Sequence, residues 1–299
     1  MLPGRAIERL QAHGHEVEVW PNTLPPLPDE LREHAASASG LLTTLSDRVD
    51  TALLDAAPNL RIIANYAVGY DNIDVEACRQ RNITVTGTPD VLTNATADLA
   101  FALLLAAARH LFPAAASVHA GEWQTWEPCK FLGTELAGRT LVLVGGRGRI
   151  GSAVARRAEA FEMDVVMVGR GDDLHAALRT ADFVSLHSPL TEDTHHLIDS
   201  DALSAMPPHA ILINTARGGL VDQAALRTAL CSEKLGGAAL DVTDPEPLPP
   251  DDPLFDAPNL IVLPHIGSAA TSVRERMAEI CADNLLTTLA ADPAARASI

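Results

Sequence analysis

Short runs of Val, Ile, Leu and Ala, bounded by turn residues, alternate along the chain with longer stretches in which apolar residues recur every three or four positions. That alternation predicts an α/β chain whose parallel strands are joined by crossover helices. In the first third, strands are expected at His15–Trp20, Gly40–Thr44, Leu60–Asn65 and Ile83–Thr86, after a helix starting at Leu2 or Pro3. Between the first two, Pro21–Pro28 reads as a stiff surface loop. From Thr140 the expected strands are Thr140–Val144, Val165–Val168, Phe183–Leu186, Ala210–Asn214, Gly237–Val242 and Leu260–Leu263. Their nearly continuous Val, Ile and Leu is the pattern of strands buried on both faces. A helical stretch from Thr93 to about Ala116, interrupted at Pro113, separates the two sets, followed by a loop carrying Gly121, Trp123, Trp126 and Pro128. A last helical pattern, Ser268 to about Ala291, is expected to pack back on the first domain.

At 299 residues the chain suits two domains of roughly 150 residues each. Its 22 basic and 39 acidic residues give a net charge of −17, which repels polyanions and argues against nucleic acid or an anionic membrane surface as partner. The longest uncharged apolar stretch, Leu99–Ala108, is about half the ~20 residues of a membrane span and reads as a buried helix. The opening residues lack a signal-sequence pattern. Cys78, Cys129, Cys231 and Cys281 are widely spaced, as expected of unpaired thiols in a cytoplasmic protein.

Candidate chemistry begins at TLVLVGGRGRIGSAVARRAEAF, where an apolar strand runs into Gly146, Gly148 and Gly151 and then an amphipathic helix. Glycines in that pattern let backbone approach a pyrophosphate, which sits on the helix N-terminus where N–H groups and the dipole favour an anion. The next strand ends at Val168, and Gly169 follows it, where an acid gripping the ribose of NAD would often stand. Arg170 follows and suits a 2′-phosphate, favouring NADP(H) with NAD(H) still possible, because Asp172 and Asp173 lie close by and favour the opposite.

Three further residues fall at strand ends or loops on the carboxyl side of the second sheet, where open α/β sheets place ligands: Arg217, Glu246 and His265. Singly, each reads as readily as a surface arginine, a loop carboxylate and a structural histidine. Together they supply a cation for an anionic substrate, an acid/base, and a carboxylate that stabilises the imidazolium, a complete set for reducing a 2-keto acid. His195, His196 and the Asp-rich stretch after Asp241 have no convincing metal-ligand spacing, so no metal is expected.

The motifs NYAVGYDNID (65–74), TPDVLTNATADLAFALLL (88–105), GEWQTWEP (121–128), GRGRIG, DFVSLHSPLTEDTHHLI (182–198), INTARGGLVD, ALDVTDPEPLP and LPHIGS resemble, in order, those of the D-isomer-specific 2-hydroxyacid dehydrogenases, most closely the glyoxylate/hydroxypyruvate reductase branch. The resemblance implies two Rossmann-like or flavodoxin-like doubly wound domains with an active-site cleft between them. Residues 1–87 with 266–299 would form the substrate-binding domain and 88–265 the dinucleotide-binding domain. It implies catalytic roles for Arg217, Glu246 and His265, and substrate-carboxylate binding by the Val68 and Gly69 amides. Cofactor contacts would include Arg149, Ile150, Ser188, Thr194, Ala216, Asp241 and Gly267 besides the glycines and Arg170. A homodimer is implied, with the Trp123 and Trp126 loop near its interface.

The chain departs from the family in three places. A strand that members place before the first helix is lacking, leaving His15–Trp20 without its usual neighbour unless another segment fills the place. Arg170 leads almost at once into a helix at Asp172–Thr180, omitting a helix and an edge strand. VGGRGRIG has one residue more than usual, so either Gly145 extends the strand or the phosphate turn is wider. An alternative is therefore a catalytically impaired or non-enzymatic NAD(P)-binding relative acting as scaffold or sensor. Within enzymes, a 2-ketogluconate reductase or phosphoglycerate dehydrogenase is the other reading.

Overall fold

The computed structural model describes residues 2–290 and the backbone of 297–298. The chain divides into two compact units, Met1–Leu92 with Ala269–Ile299, and Thr93–Ser268, against boundaries expected at 87/88 and 265/266.

The first unit opens with α1 (Ala6–Ala12), β1 (Val17–Glu18), α2 (Pro28–Ala35), β2 (Gly40–Thr43), α3 (Thr51–Ala56), β3 (Ile62–Asn65), α4 (Val75–Gln80) and β4 (Thr84–Thr86). α1 starts later than the expected Leu2 or Pro3 because Gly4, at φ +82, takes a left-handed turn there. The second unit runs α5 (Thr93–Ala108), α6 (Leu111–His119), β5 (Thr140–Val144), α7 (Arg149–Ala160), β6 (Asp164–Val168), α8 (Leu174–Leu178), β7 (Phe183–Leu186), α9 (Ser200–Ala205), β8 (Ile211–Asn214), α10 (Gln223–Cys231), β9 (Gly237–Leu240) and β10 (Leu260–Val262). The chain then returns to the first unit with α11 (Thr271–Leu289) and β11 (Ala297–Ser298). The end expected for α11, Ala291, lies outside the described residues.

The break in the long helical stretch falls at Arg109 and His110, not at Pro113. At His110, φ +52, the chain bends by 64° into α6, and Pro113 then sits in its first turn, where a missing N–H costs nothing because it has no intrahelical acceptor.

Both sheets are parallel throughout, in the orders β1-β11-β2-β3-β4 and β10-β9-β8-β7-β5-β6. Each is covered on two faces. In the second sheet Val142, Val184, Leu212 and Ala238 join one buried cluster with Leu178, Leu203 and Leu226, while Leu141, Phe183, Ile213 and Ala239 join another with Phe101, Leu104 and Val154. In the first, Leu41 and Ile63 pack with Leu53, Leu54 and Cys78, while Leu42 and Ile62 pack with Leu10, Cys281 and Leu285. Strict alternation of side chains across two covered faces is why every second residue of the central strands points into a different cluster.

The neighbour that β1 lacks is supplied by β11, which pairs Val17 with Ala297 and Gly40 with Ala297 on its other side. Beyond it a cavity of about 370 Å³ opens, lined by Trp20, Leu42, Thr43, Tyr66 and Arg274 among others. The shortened connection after β6 leaves β6 itself at the sheet edge. Asp50, Asp74, Asp173, Asp199 and Asp222 each cap a helix by accepting a backbone N–H, at about 1 kcal/mol apiece.

Candidate active site

The glycine turn after β5 begins at Gly145, whose φ of +79 carries the chain out of the strand while its N–H donates to the Val168 carbonyl at 2.8 Å. The Gly148 N–H closes the turn onto the Gly145 carbonyl at 3.0 Å. β5 thus ends at Val144, and Gly145 belongs to the turn. A Cβ on Gly151 would lie 2.6 Å from the Gly146 Cα, so α7 packs directly on the turn. A Cβ on Gly148 would meet only the Gly145 carbonyl oxygen, at 3.2 Å, so that side of the turn stays open. α7 opens on Gly148 with no side-chain cap, unlike the Asp-capped helices. A bare helix N-terminus behind an open glycine turn fits a dinucleotide pyrophosphate.

At the tip of β6 the chain turns tightly, the Asp172 N–H donating to the Gly169 carbonyl at 3.2 Å. Asp172 Oδ2 accepts from the Gly169 N–H at 2.9 Å and from Arg147 Nη1 at 2.7 Å. Those bonds, first the Gly169 N–H and then Arg147, hold its carboxyl below the usual carboxylate range. Of the two acids singled out near Arg170, Asp173 is spent capping α8 through the Ala176 N–H at 2.9 Å, and the helix begins at Leu174 rather than Asp172. Arg170 is exposed. Ser188 and Thr194 follow β7, and Thr194 Oγ1 donates to the Pro189 carbonyl at 2.7 Å. Between them and the strand, burial pushes His187 down to about 4, and its Nε2 lies 3.0 Å from Ser185 Oγ.

Arg217, Glu246 and His265 follow β8, β9 and β10, three adjacent strands, on one edge of the sheet. His265 Nδ1 lies 2.8 Å from Glu246 Oε2, and Glu246 Oε1 accepts the Thr243 N–H at 3.0 Å. The carboxylate is thus fixed by the backbone on one side and fixes the ring on the other, leaving Nε2 for a substrate. His265 sits at φ +53, a conformation a non-glycine residue holds only where neighbours impose it. Asp241, only 1% exposed, imposes it: its carbonyl accepts the His265 N–H at 2.9 Å, and its carboxylate accepts the Ile266 and Gly267 N–H groups, each at 2.7 Å. Burial raises the Asp241 carboxyl, while those two N–H groups and His265 draw it down. Gly267 in turn offers its carbonyl to Thr96 Oγ1 at 3.2 Å. Asn214 holds the Arg217 loop, donating to the Arg217 carbonyl at 2.8 Å and accepting from the Ala216 N–H at 3.0 Å. A Cβ on Gly218 would lie 2.0 Å from the Thr243 carbonyl, so the Arg217 and Glu246 loops pack backbone to backbone.

In the first unit, Val68 and Gly69 lie in a loop after β3, and their own N–H groups make no hydrogen bond among the described residues. Buried Asn65 holds the loop, its Nδ2 donating to the Gly69 carbonyl at 2.9 Å and to Asn72 Oδ1 at 3.1 Å. Asn72 Nδ2 continues to the Thr44 and Asp47 carbonyls, both at 2.9 Å.

The family model for the NAD binding domain of D-isomer specific 2-hydroxyacid dehydrogenases matches residues 101–267. A glyoxylate reductase of Korarchaeum cryptofilum is 45% identical over 95% of this chain and 90% of its own. The chain belongs to the D-isomer-specific 2-hydroxyacid dehydrogenase family. Among solved structures of this fold, the TT0316 protein of Thermus thermophilus superposes with a TM-score of 0.93 at 50% identity, over 97% of this chain and 95% of that one. An NADPH-dependent glyoxylate/hydroxypyruvate reductase of Sinorhizobium meliloti, crystallised with NADP and malonate, superposes with a TM-score of 0.79 at 35% identity, over 91% and 92%. As a dehydrogenase of this family the chain carries Arg217, Glu246 and His265 in order after adjacent strands. Sequence reasoning missed Asn65, Asn72, Asn214 and Arg147, although all four stood inside the quoted motifs: Asn65 and Asn214 end apolar strands, Asn72 lies in the turn after β3, and Arg147 lies in the glycine turn.

Proposed function

We propose that this dehydrogenase reduces small 2-keto acids, glyoxylate and hydroxypyruvate foremost, to D-2-hydroxy acids, drawing hydride from NADPH in preference to NADH. The carrying observation is the 2.8 Å pairing of His265 with Glu246 on the sheet edge that also bears Arg217. Relatives named glyoxylate reductase and an NADPH-dependent glyoxylate/hydroxypyruvate reductase support the substrate and cofactor classes.

The nicotinamide, when bound, supplies the hydride to the keto carbon. Gly146, Gly148 and Gly151 with the first turn of α7 (Arg149, Ile150) hold the pyrophosphate end, Arg170 the 2′-phosphate, and Ser188, Thr194, Ala216, Asp241 and Gly267 border the remainder. Arg217 binds the substrate carboxylate through its guanidinium fork and draws charge toward the neighbouring carbonyl oxygen. The Val68 and Gly69 amides are assigned to the same carboxylate from the family resemblance. His265 Nε2 gives its proton to the alkoxide oxygen, while Glu246, a positioning residue, orients the ring and stabilises the imidazolium before transfer. A non-catalytic scaffold leaves this complete set without a use. We assign the protein to the cytoplasm as a homodimer.

The test is loss of NADPH absorbance with glyoxylate or hydroxypyruvate, with NADH in parallel. His265→Ala is expected to lower kcat by about a hundredfold or more with little change in KM. A variant turning over within about twofold of wild type overturns the acid role.

A further inference from the structure

The turn after β5, closed by the Gly148 N–H on the Gly145 carbonyl, places Arg147 against the end of β6. Its Nη1 lies so close to β6 that a Cβ on Gly169 would be only 2.7 Å away. Gly169 directly follows β6, at the place from which many dinucleotide-binding sheets extend an acid to the ribose hydroxyls. A guanidinium therefore occupies the volume where such an acid would stand. It is anchored from behind: Asp172 Oδ2 accepts both the Gly169 N–H and Arg147 Nη1, turning its charge into the turn and onto the cation. Arg170 follows directly, exposed, and Asp173 is turned away to cap α8. A planar guanidinium with further N–H groups beside a second arginine matches a phosphate monoester and offers a bare hydroxyl no charge-assisted bond.

We propose that Arg147 recognises the 2′-phosphate of NADPH alongside Arg170, with Asp172 positioning it and Gly169 leaving it room. The assignment rests on the proposed cofactor site and names the group that makes its choice.

The experiment compares binding of adenosine 2′,5′-bisphosphate and adenosine 5′-monophosphate by calorimetry, alongside NADPH and NADH, for wild type, Arg147→Ala and Gly169→Asp. Arg147→Ala is expected to weaken the bisphosphate and NADPH about tenfold while leaving the monophosphate and NADH within about twofold. Gly169→Asp, which returns an acid to the position and displaces Arg147, is expected to invert the preference toward NADH. Equal loss for both nucleotides, or no loss for either, overturns the role of Arg147 and leaves the reductase reading standing, since wild type is titrated in the same series. Wild-type protein that binds none of the four overturns both.

Discussion

His187 shows how a single residue's burial becomes a property of the whole protein. Its ring is pushed down to about 4 by desolvation, against an unfolded value of 6.5. Because the native state holds it neutral, the unfolded chain takes up the proton first as the pH falls. The stability it permits is intact above about 6.5 and is lost between there and about 4, at up to about 1.4 kcal/mol per pH unit; below that both states are protonated and no more is lost. In His187→Gln this contribution is absent, so urea unfolding at pH 7.5, 6 and 5 is expected to show a shallower decline than wild type. Parallel declines would place the acid sensitivity elsewhere. At this same scale the trio proposed as catalytic was legible, because arginine, glutamate and histidine stand in distinctive loops at strand ends. Asp241 was legible only as a cofactor neighbour, yet both its oxygens are engaged by backbone N–H groups of the His265 loop. Sequence shows that an acid is present but not which N–H groups will point at it.

Elements were easier to read than their ends. Every strand expected from the apolar runs is present, and most differ only by a residue or two at the ends, where hydrogen bonding rather than hydrophobicity decides. β1 is the exception, two residues against six expected, because its ladder is only as long as its pairing with β11. β11 itself had no apolar signature to announce it. The glycine turn is an element whose geometry predicts a loss of function. Gly151 admits no side chain, since a Cβ would meet the Gly146 Cα at 2.6 Å and the Gly145 and Gly146 carbonyl oxygens at 2.8 Å. Gly151→Val must push α7 away from the turn, separating the helix N-terminus from the anion it is proposed to hold. Titration with NADPH and NADH, followed by nicotinamide fluorescence, is expected to show both weakened at least about tenfold, with far-UV circular dichroism retained. Unchanged affinity for both would remove the pyrophosphate from this turn.

For the molecule as a whole, the decisive surface is apolar despite a net charge of −17. Trp123 and Trp126 are 68% and 81% exposed, and Leu111, Phe112 and Val118 on α6 and Leu132 after the loop are exposed as well. Single exposed apolar residues are ordinary, but two tryptophans in one loop beside an apolar helix carry a hydration cost that a monomer has no reason to keep. Burying such aromatic anchors is what holds stable protein interfaces together, where a few large side chains contribute most of the free energy. A second copy of the chain, as the family resemblance implies, is expected to cover them by symmetry. Sedimentation velocity at micromolar concentration is therefore expected to give twice the 31.6 kDa of one chain. The double substitution Trp123→Ser with Trp126→Ser is expected to shift the protein toward that single-chain mass while leaving its circular dichroism intact, because neither side chain belongs to a buried cluster. A wild-type monomer, or a variant that remains fully dimeric, would mean that the tryptophans serve something other than self-association.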